Sequence, residues 1–176
     1  GSKYKPYLTF ARDFNIPVFV FSDGEEKPIN GLSKVYSSLF GKTDITAAPN
    51  ITILEGTDFE GYLLNNGFQA EVEAAIKAHD GTTRISTYIA KKQGQQTKAM
   101  ISDQPPCETC HQPIYETGIY DYSGEAGYQK AILEILDSDK TKYAKVVADH
   151  LSTLQPEALP PKIIELFEKI KAGVGI

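Results

Sequence analysis

Apolar residues open the chain at helical spacing. Tyr4, Tyr7, Leu8, Ala11 and Phe14 follow the i, i+3, i+4, i+7 repeat of one helix face, and Asn15 ends that helix before Ile16-Pro17. The apolar run Val18 to Phe21 then predicts a buried strand, and Gly24 to Asn30 reads as a loop. Leu32, Val35, Tyr36 and Leu39 stripe a second helix, closed by Gly41. Ile51 to Leu54 predict a second strand and Gly56 a turn, and Thr57 with Glu60 matches the capping box that opens a helix through Leu63 and Leu64. Phe68, Val72, Ala75 and Ile76 mark a further helix. Strand, helix and strand make a βαβ unit, expected to be parallel with a right-handed crossover.

From about Asp80 to Ser123 this periodicity fades. Polar residues dominate around Lys91 to Lys98, and Pro105-Pro106 precede Cys107-Glu108-Thr109-Cys110-His111. The pattern predicts an insertion or lid over 81–123, with one short strand around Ile85 to Ile89. Three helices follow, marked by Tyr128, Ala131, Ile132 and Ile135, then Tyr143, Val147, Leu151 and Leu154, then Ile163, Ile164, Phe167 and Ile170. Pro160-Pro161 start the last one, where a missing N–H costs least. The expected organisation is therefore an α/β core over 1–80, the insertion, and a helical part over 124–176. Two strands fall short of the several that a parallel sheet normally has, so the sheet is expected to be incomplete, its first strand lying upstream.

Composition narrows the classes. With 176 residues, 41% hydrophobic and 23% charged, the chain reads as an ordinary globular protein rather than a disordered one. No apolar stretch approaches the roughly 18 residues of a spanning helix, and the N-terminus lacks the regions of a signal peptide, so no membrane contact and a cytoplasmic location are expected. A net charge of −5 argues against a broad basic face that would hold nucleic acid by charge alone.

The candidate chemistry lies past the two strands. Ser22-Asp23-Gly24-Glu25-Glu26 and Thr57-Asp58-Phe59-Glu60 each follow a predicted parallel strand, and the carboxyl edge is where an open α/β sheet builds its site. Converging carboxylates repel unless a proton or cation neutralises them, and Mg²⁺ or Mn²⁺ suits an all-oxygen site. Asp23 and Glu25 can equally solvate a loop and cap the next helix, Glu60 can serve Thr57 alone, and Glu26 reads as a solvent-facing neighbour.

The order helix, "IPVFVFSDGEE", crossover, "NITILEGTDFEGYLL" and later "DKTKYAKVVADHLSTLQPEALPPKIIELFEKI" resembles the C-terminal Toprim region of the OLD-family ATP-dependent endonucleases. The likeness covers most of the chain outside the middle insertion. It implies a Toprim-like, Rossmann-like parallel sheet and a metal-dependent DNA endonuclease that nicks or cleaves phosphodiester bonds. By the same resemblance, Asp23-Gly24-Glu25 stands for the family's D-x-D-like element, with Ser22 as the small polar residue before it. Asp58 and Glu60 match the later acidic motif, and Lys140 matches the family lysine, with Lys142 second. The implied roles are metal anchoring by Asp23, completion of the shells by Glu25 and Asp58, and a water-mediated contact by Glu60. Lys140 would place a point charge at the scissile phosphate. DNA, an N-terminal ABC-type ATPase domain and a homodimer are the partners so implied. Two departures stand out: the family's opening strand with its glutamate is not found here, nor is a G-x-x-x-x-G-K-[ST] phosphate loop.

On residue type alone, Lys140 and Lys142 fit surface charge as well as catalysis. Cys107-x-x-Cys110-His111 leaves three readings open: free thiols in a structured loop, two ligands of a Zn²⁺ site completed by other residues or a second chain, or a redox pair. Two other functions compete with the nuclease: a non-catalytic cation-binding assembly module, and a phosphotransferase or phosphatase on a doubly wound sheet.

Overall fold

The computed structural model of the chain describes residues 4–41, 44–100 and 105–175, and for 98–100 the backbone alone. The first helix, α1 (Tyr4–Asp13), ends before Asn15, which takes the left-handed conformation at φ 52°. Strand β1 (Val20–Ser22) leads into α2 (Glu26–Phe40), and β2 (Ile51–Ile53) lies parallel to β1 with Val20 opposite Ile51 and Ser22 opposite Ile53. Helices α3 (Phe59–Asn65), α4 (Gln69–Asp80) and α5 (Arg84–Lys92) follow. An antiparallel hairpin, β3 (Gln96–Met100) with β4 (Tyr115–Ile119), precedes α6 (Gly124–Ser138), α7 (Lys140–Leu151) and α8 (Pro161–Val174). The chain is thus α/β, mostly helical, with a small parallel sheet. Among the described residues, no helix is long and apolar enough to cross a membrane.

Contacts divide the chain into two units, Gly1–Val72 with Ala148–Ile176, and Glu73–Val147. These divisions fall inside α4 and α7, away from the boundaries at 80 and 123 that periodicity suggests. In the first unit Leu8, Val20, Leu32, Tyr36, Ile45, Ala48 and Ile51 form one buried cluster. Asn50 organises its edge: it accepts from the Tyr36 hydroxyl and donates to the Val18 carbonyl, each at 2.9 Å. That side-chain bond takes the Val18 carbonyl out of the ladder, so pairing begins at Val20 rather than at Val18 as expected.

The second unit buries Ala75, Ile76, Ile85, Ala131, Ile132, Ile135, Leu136 and Tyr143. Asp80 accepts hydrogen bonds from Lys142 (2.7 Å) and from the Tyr143 hydroxyl, with Arg84 3.5 Å away. Glu134 accepts from Tyr88 (2.9 Å) and Tyr122 (2.6 Å), while Lys92 donates to the Tyr88 hydroxyl.

Four sequence expectations change. Residues 26–30 are helical rather than loop, because Pro28 lies in the first turn of α2, where backbone N–H groups have no helical partner to lose. The segment Ile85 to Ile89 is helix, not strand: Ile85, Tyr88 and Ile89 keep i, i+3, i+4 spacing and only Ile85 is buried in α5. The first helix buries Leu8 and Ala11, but Tyr7 (73% exposed) and Phe14 (66%) of the expected stripe face solvent. The cap of α3 is Asp58 rather than Thr57, so Glu60 does not occupy the capping-box position.

Candidate functional site

The acidic clusters leave the same edge of the parallel pair. The Leu54 amide donates to the Ser22 carbonyl at 3.0 Å, and the Gly24 amide donates to the Thr57 carbonyl at 2.8 Å. Gly24 is indispensable to that closure: a Cβ there would lie 1.5 Å from the Leu54 oxygen and 2.6 Å from the Gly56 nitrogen. Gly56, at φ 67°, turns the second loop away from β2. The loop bearing Asp23 and Glu25 is therefore in backbone contact with the loop that leads to Asp58 and Glu60.

The side chains at this edge have distinct surroundings. Ser22 is buried, and its hydroxyl donates to the Asp23 carbonyl at 3.1 Å. With that proton committed, the Tyr4 hydroxyl 2.9 Å away must be the donor to Ser22. Asp23 is half-buried, whereas Glu25 is exposed at the N-cap of α2 and makes no side-chain cap bond. Asp58 accepts from the Gly61 amide at 2.9 Å, and Thr57 Oγ1 lies where a Cβ of Gly61 would fall, at 2.2 Å. Glu60 sits half-buried in the first turn of α3.

These positions do not by themselves make a coordination shell. Among the described residues, no group of three or more His, Cys, Asp or Glu side chains is arranged to hold a metal ion. Part of the reason is local, since one Asp58 oxygen is engaged in capping its own helix.

No family model, curated protein or solved structure matches this chain.

Lys140, the expected phosphate-facing lysine, belongs to the second unit. It begins α7, with its Nζ 3.0 Å from Asp137. Lys142 is engaged with Asp80.

Beside β2, in the first unit, lies a groove of about 500 Å³ lined by Leu54, Glu55, Gly56, Lys162, Glu165 and Lys169 among others. Lys169 donates to the Ile51 carbonyl, so α8 satisfies a group on the free edge of β2. Glu165 sits between the lysines, 2.8 Å from each Nζ. Burial pushes its carboxyl up, but the hydrogen bonds from Lys162 and Lys169 outweigh that and hold it below the ordinary value. Sequence reasoning missed this triad. Its signal was available in the i, i+3, i+7 spacing of Lys162, Glu165 and Lys169 along one helix face.

Proposed function

We propose that the carboxyl edge of β1 and β2 is the site of divalent-cation-dependent phosphodiester hydrolysis on DNA, of the Toprim type that the OLD-family resemblance implies. One observation carries most of the weight: Gly24 admits no side chain and ties the Asp23–Glu25 loop to the loop of Asp58. Two acidic loops held backbone to backbone at a parallel-strand edge are suited to shared anionic chemistry. Asp23 and Glu25 are the ligand candidates, Asp58 contributes a carboxylate oxygen, and the remaining ligands come from a further segment or chain. A bound Mg²⁺ or Mn²⁺ supplies charge stabilisation to phosphoryl oxygens. Lys162 and Lys169 line the groove beside β2 and pair with Glu165, whereas the resemblance assigns the point charge at the scissile phosphate to Lys140. An ABC-type ATPase belonging to the same parent protein completes this reading.

The test is a Mn²⁺ titration followed by nicking of supercoiled plasmid. Asp23→Asn is expected to weaken Mn²⁺ binding at least tenfold and to abolish nicking by the chain joined to its ATPase. Asp58→Asn keeps the helix cap, since asparagine caps as well as aspartate, so its loss of binding reports on charge alone. Equal Mn²⁺ affinity in wild type and both variants would remove the site. Binding without nicking would favour the cation-binding assembly module.

A further inference from the structure

The stretch from Gln93 to Ile119 contains no buried residue among those described, and all five residues of β4 are exposed. A two-stranded hairpin with no core is marginal in water and needs another source of order. Its base is tied by backbone bonds between Gly94 and Tyr120 and between Tyr120 and Gln95, each at 2.9 Å. Between the strands, the chain folds back in a second closed turn around the two cysteines.

That turn is closed by backbone hydrogen bonds. The Cys107 amide donates to the Gln112 carbonyl at 2.9 Å, and the His111 amide donates to the Cys107 carbonyl at 2.8 Å. His111 takes the left-handed conformation, φ 54°, which reverses the chain directly after Cys110. Inside the turn the amides of Cys110 and Thr109 point at the Cys107 sulfur, and the Cys110 thiol also hydrogen-bonds to it. Both cysteines are unbridged, and Cys110 is exposed.

We propose that the Cys107–Cys110 turn is half of a Zn²⁺ site, completed to four sulfurs by the same turn of a second copy of this chain. The ligand count argues for the second copy. A closed tetrahedral zinc site takes four ligands, the chain has two cysteines, and no third His, Cys, Asp or Glu joins them among the described residues. Two exposed, identical turns related by a twofold axis supply the set. Each thiol gives its proton to solvent as its Zn–S bond forms, so the step needs no oxidant or reductant. The cysteines belong to the second unit and the acidic edge to the first, and neither reading depends on the other.

The chain, reduced and then loaded with Zn²⁺, is expected to hold one zinc per two chains and to double its mass in light scattering. Chelation is expected to return it to the monomer. With Co²⁺ in place of zinc, intense sulfur-to-metal charge-transfer and tetrahedral ligand-field bands are expected. Cys107→Ser and Cys110→Ser are expected to lose both metal and dimer. The Co²⁺ spectrum of the wild type decides the point even if those variants fold poorly. His111→Gly keeps the left-handed turn without the imidazole and is expected to retain zinc and dimer. One zinc per monomeric chain, loss of zinc in His111→Gly, or failure of the reduced chain to bind zinc would each overturn the proposal.

Discussion

A methyl group at Gly24 would collide with the Leu54 carbonyl, 1.5 Å from its oxygen, and backbone on both sides leaves it no room to turn aside. Gly24→Ala is therefore expected to cost about 3 kcal/mol, read as a lowered urea midpoint, because relief requires the two acidic loops to part. Asp80 makes a different kind of contribution. Burial raises its carboxyl, but hydrogen bonds from Lys142, Tyr143 and His79 prevail and hold it well below the usual 3.8. A carboxyl depressed in the folded state adds stability that is complete above its unfolded value and is lost as pH falls toward the folded one. Asp80→Asn should thus lower stability by about 2 kcal/mol at neutral pH, and the gap from wild type should narrow in acid well below 3.8. Denaturant titrations at the two pH values check both the size and the sign. Sequence alone marked Gly24 only as part of an acidic loop and Asp80 only as the point from which periodicity fades, because most of the atoms that give each its weight lie far away in the chain.

Helix α1 shows how an element's periodicity outruns its packing. Leu8 is 1% exposed while Phe10 is 56% exposed, although both are large and apolar. Leu8→Ala is expected to destabilise by about 3 kcal/mol, and Phe10→Ala to stay within about 0.5 kcal/mol, measured by thermal or urea unfolding. The helices α2, α4, α6, α7 and α8 were legible because apolar residues recur at helical spacing along each, and Gly41 adds a stop signal that ends α2 at φ 68°. Strands β3 and β4 were not legible. Strand β4 is exposed at every position, and without a buried face there is no period for a reader to find.

For the whole molecule, charge decides how nucleic acid can be held. The chain carries a net −5, so the proposed DNA contact must be mediated by cations or by a partner. Fluorescence anisotropy with a labelled duplex is expected to show retention in Mg²⁺ or Mn²⁺ and its loss on chelation. Retention that chelator leaves unchanged would place the grip on direct basic contacts instead. By itself the sequence determined the βαβ order, the parallel pair and the edge at which its acidic loops emerge, because strand, turn and helix signals are local and topology follows from their order. It also determined the pair of cysteines and their spacing. Only the tertiary structure decided which aromatic residues of α1 stay in water, that the two units divide inside α4 and α7, and that Gly24 locks one acidic loop onto the other. Those outcomes depend on which distant surfaces meet, a matter of packing that no local pattern encodes.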